Sequence, residues 1–357
     1  MFKTIYYIKD IPSIASITQF NHALGIAEQD PRSALIVHEP PPETVRDAYS
    51  TVEVLDTETA FGRVRDAVRF VNDAVNRNPE TVLITAGQVE PVVAGYLSKA
   101  DWVVDLYDDP LQGIRNDPIS RHQLTDRLTK QLVGRAQLGV NTLHIDAPNK
   151  AGVRREYCIN GAPTHLIDHR IPEYTEPLRA VVAGKATLDK GMNFVVDGLA
   201  TARTDIHIDA YGTVDEQTVR YCKDRGVSDQ IEFHGSTEHR AVREAVSRSH
   251  VGLCVLPARG DWMYHYPIKL GEYLAGGTIP LASNFPAFRE LAHETGVYVE
   301  PSSEGVASGF DQLGVLSEET YRERSRATRR RGEEVSWVRV RTAFAQKCLS
   351  EDMFHRH

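Results

Sequence analysis

Cysteine is scarce in this chain: among 357 residues only Cys158, Cys222, Cys254 and Cys348 occur, far apart and with no Cys-x-x-Cys pair. Neither a disulfide framework nor a thiolate zinc site is signalled, and a reducing cytoplasm fits best. Long apolar runs are also missing. None approaches the roughly 18 residues that span a bilayer, so any membrane contact is expected to be peripheral, at the cytoplasmic face. Positive charge is not in excess either: 41 Lys and Arg against 49 Asp and Glu give a formal net charge of -8. That balance argues against nucleic acid as a partner, because such binding rests on neutralising phosphates. There is no low-complexity tract. The first residues, Met-Phe-Lys-Thr-Ile-Tyr-Tyr-Ile, run straight into an alternating strand, and no signal peptide is expected.

What is present is an ordinary globular composition, 41% hydrophobic and 25% charged, long enough for about two domains with cores of their own. Short apolar runs at Thr4 to Ile8, Ala34 to Val37, Val52 to Leu55, Val82 to Thr85, Trp102 to Leu106 and Leu138 to Val140 read as strands. Between them lie helical periods, such as Phe61, Val64, Val68, Phe70 and Val71, or Leu124, Leu128, Leu132 and Val133. Alternating strands and helices imply a parallel sheet. The proline-punctuated segment Ile171 to Pro177 reads as an interdomain linker. A second series follows, with strands at Ala180 to Ala183, Ile206 to Tyr211, Ile231 to His234, Val251 to Leu256, Ile279 to Ala282 and Val297 to Val299. In the tail, Trp337, Val338, Val340, Phe344 and Cys348 mark the buried stripe of a helix. The basic run Arg322 to Arg331, interleaved with Glu323, reads as a helix's solvated face.

Two stretches carry chemistry. Val181-Val182-Ala183-Gly184-Lys185-Ala186-Thr187-Leu188-Asp189-Lys190-Gly191 is a strand, a loop with two cations and the start of a helix, which together suit a diphosphate. The bland reading is a pair of surface lysines. In Tyr264-His265-Tyr266-Pro267-Ile268-Lys269-Leu270-Gly271-Glu272-Tyr273, Pro267 suits the first helical position, and Lys269 and Glu272 share one face. Phosphate can meet Lys269 and the helix N-H groups, while Glu272 can accept bonds from a vicinal diol such as a ribose. A plain salt bridge between the two is the bland alternative. A third stretch, Asp105-Leu106-Tyr107-Asp108-Asp109-Pro110, ends a strand, so its carboxylates should face the ligand edge. There Asp108 is a candidate to orient an acceptor hydroxyl; Asp before Pro is equally a turn former and helix cap.

In the order and spacing of Gly184-Lys185, Lys190-Gly191, Ile231 to Gly235, Val251 to Pro257 and Pro267 to Ser283, the chain resembles the retaining glycosyltransferases of family 4. The resemblance is good over Arg179 to Pro301, looser to Trp337 and weak in the N-terminal half. It implies the GT-B fold: two Rossmann-like doubly wound parallel-sheet domains facing across a cleft. The expected division is 1-172 for the acceptor, 173-335 for the nucleotide-sugar donor, and a helix in 336-357 crossing back to the N-terminal domain. The resemblance also implies a donor site at Gly184, Lys185, Lys190, His234, Gly235, Tyr266, Pro267, Lys269, Leu270 and Glu272, with Lys190 and Glu272 at the chemistry. It implies no metal and no cofactor beyond the nucleotide-sugar substrate. Two departures stand out. Lys185 replaces the family's arginine, keeping charge but losing a bidentate fork. The first of the family's two glutamates falls at Tyr264, with Asp261 nearby along the loop. The expected activity is sugar transfer to a hydroxyl acceptor with retention of configuration. A nucleotide-sugar epimerase and a non-catalytic nucleotide-sugar or glycan-binding protein are the alternatives.

Overall fold

The computed structural model describes residues 3–14, 17–106, 128–174, 176–260 and 262–350. Their chain forms two compact units. One comprises Met1–Ile159 with Val338–His357, the other Asn160–Trp337. The boundary thus falls before residue 160 rather than at 172, for a packing reason. Asn160 Nδ2 donates to Tyr266 O at 2.6 Å. Gly161 lies so close to Trp337 that a Cβ would come within 2.5 Å of the indole. The segment read as a linker is packed too: His250 Nε2 bonds Glu173 O at 2.8 Å, and Tyr174 stacks beside Tyr321.

The first unit holds a seven-stranded parallel sheet in the order β3-β2-β1-β4-β5-β6-β7. The strands are β1 (Thr4–Tyr7), β2 (Ala34–Val37), β3 (Thr51–Val54), β4 (Val82–Ala86), β5 (Asp101–Leu106), β6 (Leu138–Asn141) and β7 (Arg155–Tyr157). The second holds six, in the order β10-β9-β8-β11-β12-β13. These are β8 (Leu178–Ala183), β9 (Ile206–Tyr211), β10 (Ile231–Gly235), β11 (Val251–Cys254), β12 (Ile279–Ser283) and β13 (Val297–Val299). Central strands such as β2, β4 and β12 are buried along their whole length, which is why they read as unbroken apolar runs. The edge strand β7, Arg-Glu-Tyr, is half-buried and carries no apolar run, so pattern reading passed over it.

Caps fix several helix starts. Thr59, Asp215, Ser302 and Ser317 each accept from an N-H of the first turn, at 2.7 to 3.2 Å, worth about 1 kcal/mol apiece. Two apolar stripes differ from the sequence expectation. Phe61, in the first turn of helix Ala60–Arg77, is 80% exposed, and Val338 is 52% exposed although Trp337, Phe344 and Cys348 of helix Trp337–Leu349 are fully buried. The basic run is more than a solvated face. Arg329 bonds the carbonyls of Thr164, Ile167 and Ala275, and Arg331 bonds those of Glu290 and Leu291. Ala275, Glu290 and Leu291 lie in the last turns of their helices, where carbonyls lack intrahelical donors.

In each sheet the connections run one way from the first strand and then return to its other side. That makes the carboxyl ends of β1 and β4, and those of β8 and β11, the switch points outside which parallel sheets accept ligands.

Candidate functional site

In the second unit, β8 and β11 pair only through Ala180 with Val251 and Val181 with Gly252, and then part. The fully buried Tyr273 hydroxyl fills the fork: it accepts from Ala183 N at 3.1 Å and donates to Leu253 O at 3.0 Å. Its ring is admitted by Gly252, where any Cβ would lie 2.4 Å from it.

The lysine loop starts at that fork. Gly184, at φ 96°, donates to Tyr211 O at 2.8 Å. Gly212, at φ 122°, lies against it so closely that a Cβ would come 2.1 Å from Gly184 O, and its N-H donates to Gly235 O at 2.7 Å. The carboxyl ends of β8, β9 and β10 are thereby tied by backbone alone. Thr187 Oγ1 donates to Asp189 Oδ1 at 2.5 Å within the tight turn Leu188–Lys190. Gly191, at φ 92°, then opens helix Met192–Leu199, and a Cβ there would meet Val255 O at 2.1 Å. The loop after β8 and the residue after β11 are therefore in contact, and both sequence motifs meet at the fork.

The second motif forms a short turn, Trp262–Tyr264, and helix Ile268–Gly276, ended by Gly277 at φ 72°. Pro267 is the cap residue, in extended conformation, so the helix begins one residue later than expected. Lys269 is half-buried in the first turn and Glu272, 7% exposed, lies one turn deeper. Lys190 Nζ sits 3.8 Å from the centroid of the Trp262 ring. Burial, with the positive charges of Lys185, Lys269 and Arg259, lowers the Lys190 ammonium from the usual lysine range despite the pull of Asp189. Four cations thus crowd one end of the sheet. Arg259 and Trp262 were not legible as site residues from motif matching; their signal is their place directly after β11.

Other expected site residues are placed differently. Tyr266 and Leu270 are buried, and the Tyr266 hydroxyl bonds Glu290. Both side chains hold the frame of the loop. His234 Nε2 lies 2.8 Å from Asp209 Oδ1, and its ring stacks on Tyr211 at 4.2 Å. Burial favours a neutral Asp209, but the bonds from His234 and Arg179 outweigh it and lower the carboxyl pKa. On this same face His207, Asp209 and Glu232 bring ligand-type atoms within 4.8 Å of one another, with Asp209 already held by Arg179 and His234. Asp108 and Asp261 lie outside the described residues. Asp105 does not face the ligand edge. It is fully buried, accepting from Tyr6 at 2.7 Å and lying 2.9 Å from His22 Nδ1, under a His22 ring stacked on Phe344.

Residues 177–313 match the family model described as glycosyl transferases group 1. No curated protein matches the chain in sequence. Among solved structures, HepE of Anabaena, in complex with UDP and glucose, is similar at 14% identity and a TM-score of 0.67, covering 97% of this chain and 99% of that one. Sucrose-phosphate synthase of Thermosynechococcus elongatus is similar at 14% identity and 0.67, covering 98% of each. WaaG, a glycosyltransferase involved in lipopolysaccharide biosynthesis, is similar at 11% identity and 0.62, covering 97% of this chain and 100% of the other. The fold is that of the GT-B glycosyltransferases. Among the described residues no helix is long and apolar enough to cross a membrane.

Proposed function

We propose that the chain is a retaining, metal-independent glycosyltransferase, which takes a nucleoside-diphosphate sugar at the fork of β8 and β11 and passes the sugar to a hydroxyl acceptor. The observation that carries this reading is that the positive charges of Lys185, Arg259 and Lys269 all act on Lys190, beside Trp262, in the loops that follow β8 and β11, where a parallel sheet accepts ligands. Such a group of like charges lowers stability unless an anion joins it. The family matched over 177–313 and the UDP held by HepE agree with a diphosphate there.

In this mechanism the lysines and the N-H groups at the start of helix Ile268–Gly276 meet the diphosphate. Glu272, deeper on the same helix, accepts from the ribose hydroxyls. Negative charge grows on the leaving phosphate as the glycosidic bond breaks, so cations fixed in advance lower the barrier most at that moment. The acceptor hydroxyl attacks on the face the diphosphate leaves, and its proton passes to the departing phosphate oxygen. Leaving-group charge is met by ammonium and guanidinium groups, which do the work a metal does in other sites.

The test is a thermal-shift screen of UDP, GDP, ADP and CMP and their sugar conjugates, on wild type, Glu272→Ala and Lys190→Ala. A rise in melting temperature for one nucleotide, lost in both variants, supports the site. No response to any nucleotide refutes it and favours a non-catalytic glycan-binding role, which the tyrosine at 264 already makes the second reading.

A further inference from the structure

The first unit has its own switch point, at the carboxyl ends of β1 and β4, and the side chains there differ in kind from those at the fork of β8 and β11. Glu90, in the first turn of helix Val89–Leu97, is gripped by Arg63, whose Nε and Nη2 donate to its two oxygens at 2.9 and 3.1 Å. The remaining Arg63 nitrogen donates to the carbonyls of Thr57 and Glu58 at 3.0 and 2.9 Å, so four of the five guanidinium N-H groups are engaged within the protein. Lys9, just after β1, brings Nζ to 3.5 Å from Glu90 Oε1, and its backbone N-H donates to Gln88 Oε1 at 2.9 Å, joining the ends of β1 and β4. His38, just after β2, lies 3.5 Å from Glu90 Oε2 and 2.9 Å from the Tyr7 hydroxyl.

Burial opposes charge on Glu90, yet Arg63, Lys9 and His38 lower its pKa below the usual range, so it is a carboxylate at neutral pH. Burial holds His38 below the usual histidine range, against the pull of Glu90 and Asp10, so it is neutral there. The group presents one engaged carboxylate beside one ammonium that is 37% exposed. A phosphate reaching Lys9 would also meet the Glu90 carboxylate, a like charge 3.5 Å from the Lys9 ammonium. A pair of neighbouring sugar hydroxyls fits both: each hydroxyl can donate to the carboxylate and accept from the ammonium.

We infer that Glu90 and Lys9, at the carboxyl ends of β4 and β1, hold the acceptor by an uncharged vicinal diol, so that the acceptor's bound end is a neutral sugar rather than a phosphorylated one. This rests on the proposed transferase function and specifies its acceptor.

The experiment is saturation-transfer NMR on the full chain with UDP present, using methyl α-glucoside, methyl α-galactoside, methyl α-mannoside and glucose 6-phosphate as probes. At least one neutral glycoside is expected to respond, more strongly than the phosphate. Its dissociation constant should rise at least about tenfold in Lys9→Met and in Glu90→Gln, while the UDP signal persists. Lys9→Met removes a half-exposed side chain and keeps the test open should Glu90→Gln fail to fold. The inference falls if the phosphate binds better, if the glycoside response is the same in the variants, or if no glycoside responds. Loss of the UDP signal in the wild type would instead refute the donor site.

Discussion

Replacing Lys190 by methionine separates a binding role from a structural one, because the two roles predict changes in different measurements. Methionine keeps an unbranched apolar stem against Trp262 and removes only the charge. In the unliganded protein that charge is opposed by burial and by Lys185, Lys269 and Arg259. Losing it relieves repulsion and gives up a cation–π contact worth about 0.5–1 kcal/mol. These terms offset, so the unliganded melting temperature should stay within about 2 °C. With a diphosphate bound, the lost ammonium is a charged hydrogen-bond donor worth about 1.5–3 kcal/mol, which weakens UDP binding by roughly 10- to 150-fold. Calorimetric titration of UDP into wild type and Lys190→Met reads this directly. Repeating it at high salt should narrow the gap between the two proteins, since screening weakens the wild-type contact. A variant that melts several degrees lower but binds UDP as tightly would refute the reasoning and leave Lys190 as a packing partner of Trp262.

Glu272→Gln, which keeps shape and removes charge, should weaken binding of UDP by about tenfold or more and leave binding of inorganic pyrophosphate unchanged, as measured by titration of each. Gly212→Ala forces a side chain onto φ 122° and 2.1 Å from Gly184 O, so it should cost about 3 kcal/mol and lower the melting temperature by roughly 6–12 °C in calorimetry. His38, His169 and His250 all sit below the ordinary histidine value of 6.5 through burial. The unfolded chain therefore binds more protons than the folded one once pH drops below 6.5. Stability is full above that value and declines below it, and a melting temperature flat between about pH 7 and 5 would contradict this.

Legibility in the sequence followed burial. A strand covered on both faces, such as Ala34–Val37, announces itself as an apolar run, and its bounds in the structure are those read from the sequence. The two cationic motifs were legible because their glycines and lysines sit in a fixed order around strand ends. What was hidden depends on contacts between distant segments. Nothing local in Arg329 or Arg331 tells that they cap the carbonyls of 164, 167, 275, 290 and 291 instead of facing water. Asp105 looked like a ligand-edge carboxylate from its place in the chain, yet Tyr6 and His22, some 99 and 83 residues away, claim it. Glu90 lies in an apolar helix without any motif, and only the fold brings Lys9, His38 and Arg63 to it. Charge composition then distinguishes the two units. Around Lys190 cations outnumber carboxylates, with Lys185, Lys269 and Arg259 against Asp189, whereas Glu90 is a carboxylate met by Arg63 and Lys9.

Tyr273 bears on how the fork of β8 and β11 keeps its shape. Beyond Gly252 and Val181 the strands β8 and β11 no longer bond each other, so Ala183 N-H and Leu253 C=O face a gap in the core. The tyrosine hydroxyl serves both groups at 3.1 and 3.0 Å, at a position with no solvent exposure. Tyr273→Phe deletes one oxygen, retains the ring against Gly252, and leaves a buried donor and a buried acceptor unpaired. At about 1–3 kcal/mol for each such group, the cost should be roughly 2–6 kcal/mol, or a melting temperature lower by roughly 4–24 °C. Gly184 and Lys185 follow Ala183 directly, so loosening that N-H should also weaken UDP binding without removing any group that touches the nucleotide. Calorimetry and UDP titration on the same preparation test both parts. If Tyr273→Phe melts with the wild type, the hydroxyl does not hold the fork, and the parting of the strands must be stabilised by the glycine ties among Gly184, Gly212 and Gly235 instead.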